Sequence, residues 1–176
     1  MQYEVYVALR QICERWPEHG KIIEKILAIS FDDARGGFEV ESRSTEGVDI
    51  ELTNERLKYA IEVKTTSGAS ILLAEKDIKG LLSKARKDGY TPVVAVLRIQ
   101  FLSDWVFARA NDLVPNYYSP ERLRLKSIID LESIARLHFG RTLLELKENI
   151  LNHPGGVPPL TYLDGILARE SKHVLV

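Results

Sequence analysis

A chain of 176 residues, 45% apolar and 28% charged with a formal net charge of −1, has the length and composition of one soluble globular domain around a full core. That composition excludes an intrinsically disordered chain, and no apolar run reaches the ~18–20 residues that cross a bilayer. The N-terminal Met1, Gln2, Tyr3, Glu4 lacks the basic, apolar and small-residue zones of a secretory signal, so a cytoplasmic location without a membrane partner is expected.

The near-zero total hides an asymmetry along the chain. Residues 1–51 carry 6 Lys+Arg against 11 Asp+Glu, residues 52–126 carry 13 against 8, and residues 127–176 carry 5 against 6. An acidic segment followed by a basic one suits a protein that gathers carboxylates on a cation and basic groups on a polyanion. Ordinary surface charge is the plainer alternative. The single cysteine, Cys13, excludes an internal disulfide and a thiolate metal cluster, and reads as a small buried residue on a helix.

In chain order, Val5, Leu9, Ile12, Cys13 and Trp16 recur at helical spacing up to Pro17, which ends the helix by restricting the residue before it. A second helix is predicted over 17–30, from the pairs Ile22/Ile23 and Ile26/Leu27. Alternation follows: Phe38 and Val40 point one way, Glu39 and Glu41 the other. Two further strand signals put Val48, Ile50, Leu52 and Tyr59, Ile61, Val63 on the core, with Asp49, Glu51, Glu62 and Lys64 facing outward. The polar stretch 53–58 makes these two strands a hairpin.

Ile78, Leu81, Leu82 and Ala85 form the stripe of an amphipathic helix that ends at Gly89, a residue suited to a left-handed cap. Its polar side is basic: Lys76, Lys79, Lys84, Arg86 and Lys87. The apolar run 93–97 reads as a strand buried on both faces, entered at Pro92, and 105–108 as another strand. Helical stripes return at Leu131/Ile134/Ala135/His138 and Leu143/Leu146/Lys147/Ile150, with Gly140 and the 153–156 cluster as stops. The expected architecture is α/β, a mixed sheet with helices, divided into a core at 1–112 with N-terminal helices and a helical C-terminal extension at 113–176 packed on the same domain.

The residues that carry chemistry are Asp49 and the pair Glu62 and Lys64. On a strand, Glu-x-Lys places a carboxylate and an ammonium on one face about 7 Å apart. Burying such a pair for stability alone is a poor explanation, because desolvation cancels most of the Coulomb gain. A hard divalent cation, Mg2+ or Mn2+, gives Asp49 and Glu62 a reason to converge. Such an ion polarises a phosphate and lowers the pKa of an attacking water, and Lys64 beside it orients that water or offsets developing charge. As spacing alone the pattern is weak; the adjacent strands, the basic helix and the hydroxyls of Ser42, Ser44 and Thr45 strengthen it. The four histidines, at 19, 138, 153 and 173, show no metal-ligand pattern.

Asp49 and the run Ile61-Glu62-Val63-Lys64 resemble the PD-(D/E)xK motif of the restriction-endonuclease-like nucleases, with Val48 where the leading proline stands. Within that superfamily the similarity is to archaeal Holliday junction resolvases, over about residues 22–112. The resemblance implies a mixed central sheet flanked by helices and a Mg2+- or Mn2+-dependent endonuclease with no organic cofactor. It also implies a homodimer and branched DNA as partner. It makes Asp49 and Glu62 metal ligands and Lys64 the catalytic lysine. Glu24 would match a helix glutamate that reaches the metal, with Glu4 and Glu14 as rivals, and Ser44 or Thr45 a hydroxyl before the aspartate.

Departures from that family are the near-neutral charge, an added first helix and about 60 residues after Asp112. The apolar stripe at 143–151 is a candidate dimer interface, and Lys76, Lys79, Lys84, Arg86 and Lys87 are candidate DNA contacts. Glu51 is a further possible ligand, with a solvated strand face as its alternative. Tyr117 and Tyr118 with Arg122, Arg124 and Lys126 either clamp nucleic acid or pack on the domain. A restriction-type or repair endonuclease on duplex DNA is the enzymatic rival. A non-catalytic DNA-binding or complex-forming module is the rival of another class.

Overall fold

The computed structural model describes residues 1–34, 37–45 and 48–170, apart from the side chains of residues 43–45 and 170, so the hydroxyls of Ser44 and Thr45 lie outside the described residues. The elements are α1 (Tyr3–Arg15), α2 (His19–Asp32), β1 (Glu39–Thr45), β2 (Val48–Thr53), β3 (Lys58–Thr66), β4 (Ile71–Leu73), α3 (Glu75–Asp88), β5 (Thr91–Arg98), β6 (Val106–Arg109), β7 (Asn116–Tyr118), α4 (Pro120–Leu123), α5 (Ile129–Leu151) and α6 (Leu160–Glu170). β1, β2, β3, β5 and β6 form one sheet in that order. β3 and β5 run parallel, joined by the crossover through α3, and the other neighbours are antiparallel.

The sheet separates two cores. Ile50, Leu52, Ile61, Val63, Val93, Ala95 and Leu97 pack under α1, α2, α5 and α6. Ala60, Val94, Val96, Val106 and Ala108 pack under α3 and the β4–β7 ribbon. The apolar run of β5 feeds both in strict alternation, as a strand covered on each face requires. α3 ends at Gly89 with φ +72°, the left-handed cap. None of the described helices is long and apolar enough to cross a membrane.

Several expectations need correction. The second helix begins at His19 and runs on to Asp32, because Pro17 and Glu18 form the turn out of α1. β4 and β7 had no signal, since three residues are too few to show a period. Asp49, Glu51 and Glu62 do not face outward: α3 covers Glu51 and Glu62, Asp49 meets Lys21 of α2, and the exposures of the three are 8%, 4% and 5%. Val48 joins the α3-side core, away from Ile50 and Leu52. The β1–β2 register slips by one residue between Ser42 and Thr45, and the extra twist of such a bulge re-aims the strand beside Asp49.

Gly140 is not a stop. α5 runs through it, and a Cβ there would lie 2.9 Å from Cγ2 of Val5, so the missing side chain lets α1 lie against α5. The stripe at 143–151 is likewise not a free interface: Leu143 and Ile150 are fully buried in the first core. The C-terminal helices are tied to the rest by the Trp16 indole N–H donating to the Ile150 carbonyl at 3.1 Å and the Thr142 hydroxyl donating to Asp33 at 2.9 Å. Lys25 reaches both Ser42 at 2.9 Å and Asp164 at 2.8 Å.

Gly140→Ala should therefore lower stability by roughly 1 kcal/mol, because the clash with the stiff β-branched Val5 outweighs the gain in helix propensity. In a Val5→Ala background the same change should become neutral or stabilising. Thermal denaturation of the four proteins checks this, and additive effects would contradict the contact.

Candidate active site

β2 and β3 pair as far as Ile50 opposite Ile61 and then diverge. At the divergence the Val63 backbone N–H has no strand carbonyl to meet and donates to Oδ2 of Asp49 at 2.8 Å. This bond fixes the Asp49 carboxylate beside the strand that carries Glu62. The first turn of α2 approaches the same end of β3, where a Cβ on Gly20 would meet the Thr65 hydroxyl at 3.5 Å. One turn further on, Glu24 projects toward Asp49, and it is only 4% exposed.

Cations hold these carboxylates together. Lys21 Nζ donates to Oε2 of Glu24 at 2.8 Å and to Oδ1 of Asp49 at 3.2 Å. Lys64 Nζ lies 2.5 Å from Oε1 of Glu62 and 3.1 Å from Oδ2 of Asp77. The carboxylate side chains are 5–11% exposed, whereas Lys21 and Lys64 are 46% and 26% exposed, so the lysines mark where the cluster opens to solvent. Glu24, and not its rivals, is the helix glutamate at this site: Glu14 pairs with Arg10 on the exposed side of α1, and Glu4 is exposed there too.

Sequence reasoning missed Lys21 and Asp77. Asp77 stands at the third position of α3, where its carboxylate caps the helix by accepting from the Ala74 N–H at 3.0 Å while holding Lys64. An acidic residue in a first turn ordinarily signals only a cap, which is why its second role was invisible.

Burial pushes the Glu24 carboxyl up to about 7, and the Asp49 charge adds to this against the opposing pull of Lys21. Glu62 is likewise raised to about 7, by burial first and then by Asp49, against Lys64. For both lysines burial favours the neutral amine, but the hydrogen bonds and charges of their carboxylate partners outweigh it and hold the ammonium above its usual range. Lys64 as folded is thus a cation and a hydrogen-bond donor, not a base.

The donor chemistry fits a hard divalent cation: oxygen-only groups, buried, with negative charge that raises two of their own pKa values. Asp49 and Glu62, with Glu24 beside them, are the residues that would hold such a cation, and the ammonium of Lys21 lies between Glu24 and Asp49. Among the described residues no three Asp, Glu, His or Cys side chains form a ready-made ligand set.

Of the basic residues on α3, Lys76, Lys79, Arg86 and Lys87 are exposed, Lys79 pairing with Glu75 at 2.6 Å. Lys84 is not part of an open basic surface. It pairs with buried Glu51 at 2.9 Å and with Asp88 at 3.1 Å, and lies over the Tyr90 ring. Glu51 stands opposite Glu41 across β1–β2, and Lys84 offsets that like-charge pair. Tyr118 is packed inward with its hydroxyl bonded to the Val114 carbonyl at 3.0 Å, whereas Tyr117 is exposed. Cys13 is partly buried, and burial pushes its thiol up to about 11, which leaves it unreactive.

Between about pH 4.5 and 7 the folded chain keeps protons on Glu24 and Glu62 that the unfolded chain has released. Their contribution to stability is complete below pH 4.5 and lost as pH rises through 7. With a chelator present, Glu62→Gln should stabilise the protein by roughly 1–3 kcal/mol at pH 8 and change it by no more than roughly 0.5 kcal/mol at pH 4.5. Chemical denaturation at the two pH values checks this, and an equal effect at both would contradict it.

No protein-family model matches the chain, and no curated protein sequence matches it. Among solved structures, the chain is similar to Hjc, a Holliday junction resolvase from the archaeal hyperthermophile Archaeoglobus fulgidus. The TM-score is 0.53 at 22% sequence identity, over 65% of this chain and 95% of that one. At that identity the likeness is one of fold: the α/β, mixed-sheet architecture expected from the order of elements, with the sheet central and flanked by helices.

Proposed function

We propose that this protein is a metal-dependent endonuclease that hydrolyses phosphodiester bonds in DNA, with branched DNA as its favoured substrate. The observation that carries the reading is the convergence of Glu24, Asp49, Glu62 and Lys64 at one opening of the sheet. The fold shared with Hjc supports the choice of a four-way junction as substrate.

A Mg2+ or Mn2+ ion held by Asp49 and Glu62, with Glu24 beside them, would supply a polarised phosphate and a bound water of lowered pKa. The chain's own groups do the rest. Lys64, held by Asp77 as well as by Glu62, keeps its charge and places it where the phosphate oxygens gain negative charge in the transition state. Asp49 keeps its orientation through the Val63 N–H. Lys76, Lys79 and Lys87 on α3 offer exposed charges to the phosphate backbone. Resolving a junction takes two symmetric cuts, and one such site per chain makes a pair of copies part of the reading.

Asp49→Asn, Glu62→Gln and Lys64→Ala should each reduce cleavage of a four-way junction in Mg2+ or Mn2+ by ~10²-fold or more while the proteins remain folded. Linear duplex DNA should be cut far more slowly. Variants that cut like the wild type would refute the assignment, and equal cutting of duplex would favour the restriction-type reading.

The combined Lys76→Ala, Lys79→Ala and Lys87→Ala variant should flatten the salt dependence of DNA binding by about one unit of slope per lysine that contacts phosphate. Lys84→Ala should instead lower stability by ~1–3 kcal/mol, since it removes the ammonium paired with buried Glu51 at 2.9 Å. Salt titrations and thermal denaturation separate these effects, and loss of DNA affinity without loss of stability in Lys84→Ala would contradict its internal role.

A further inference from the structure

The three lysines around the acidic cluster differ in what anchors them. Lys64 has Asp77 as a partner outside the carboxylates that face the opening, so it keeps a counter-ion whatever Glu62 does. Lys25 is 12% exposed and is held by Ser42 and Asp164, on β1 and α6. Lys21 donates to Glu24 and Asp49, both members of the cluster, and its side chain is 46% exposed. It can swing into water by rotating its own side chain, with no movement of α2 and no other pair among the described residues broken.

We propose that Lys21 is a built-in competitor for the divalent cation. Its ammonium occupies the bridging place between Glu24 and Asp49, leaves for solvent when the ion binds, and so sets the metal affinity of the site. The proposal rests on the metal-dependent reading above. Without an ion, Lys21 supplies the positive charge that two buried carboxylates need in order to share a small volume. With an ion, the exchange of a single charge for a double one improves the neutralisation, and Lys21 recovers its hydration outside.

Lys21 is also separable from the fold, since its stem lies at the surface while the core side of α2 is formed by Ile22, Ile23, Ile26 and Leu27. The binding consequence is opposite in sign to that of losing a ligand. Removing Lys21 deletes a competitor and a like charge together, and both changes favour the ion.

Calorimetric titration with Mn2+ alone, without DNA, tests this in the full chain. Lys21→Met should tighten Mn2+ binding on the order of tenfold, the size expected for removing one like charge from a partly buried site. Lys21→Arg should bind no more tightly than the wild type, and Asp49→Asn should abolish binding in either background. With chelator present, Lys21→Met should also melt lower than the wild type and recover more of its midpoint when Mn2+ is added. Should Lys21→Met fail to fold, Lys21→Gln, which keeps a donor without the charge, carries the same expectation.

Mn2+ binding that is unchanged or weaker in the Met and Gln variants, with Asp49→Asn still abolishing it, would overturn the role of Lys21 and leave the metal-dependent reading standing. Absence of Mn2+ binding in the wild type and in every Lys21 variant would overturn both.

Discussion

Three carboxylates, Glu24, Asp49 and Glu62, are forced together where water is scarce, and their mutual repulsion is the constraint around which this end of the molecule is arranged. Nothing in stability alone recommends such a cluster, because desolvating each charge costs more than its pairing returns. The chain meets that cost with ammonium groups from two sides, Lys21 from α2 and Lys64 from β3, and with one backbone donor, the Val63 N–H. A polar cluster so built is poised for a positive partner of higher charge, and its position beside the exposed basic residues of α3 suits a polyanionic substrate.

The rest of the fold serves to hold α2 and the β2–β3 fork in place. α2 is packed by α5, α6 and the sheet, so the helix that supplies Glu24 and Lys21 is clamped on its apolar side. The C-terminal helices do this through specific ties, Trp16 to Ile150, Thr142 to Asp33 and Asp164 to Lys25, as well as through apolar burial. The segment that departs most from the resolvase pattern thereby acts on the site indirectly, by fixing a helix that carries two of its charges. Gly140 shows the closeness of this packing, since even a methyl group there meets Val5.

Much of the site was legible in the residues because period two and a two-residue spacing are local facts. Asp49, Glu62 and Lys64 fall on paired strands for the same reason that Ile50 and Ile61 do. Gly89 announced the end of α3 through the one conformation glycine adopts freely. What failed depended on tertiary covering. A strand pattern says which residues share a face but not whether a helix lies over that face, so Asp49, Glu51 and Glu62 were expected outward and are buried. Lys84 looked like one more surface charge, although Glu51 claims it. Gly140 looked like punctuation because sequence does not distinguish a glycine that stops a helix from one that admits a neighbour. Lys21 and Asp77 escaped notice because their meaning comes from residues 28 and 13 positions away, Asp49 and Lys64.

The central claim is that this cluster is a divalent-cation site from which phosphodiester hydrolysis proceeds. Its most direct test is a crystal of the protein grown with Mn2+ and examined for anomalous scattering at the manganese edge. The account predicts a single strong peak bonded to the carboxylates of Asp49 and Glu62, with the Lys21 ammonium moved off Asp49. A map with no peak there, and with Lys21 still bridging Glu24 and Asp49 at saturating Mn2+, would contradict it.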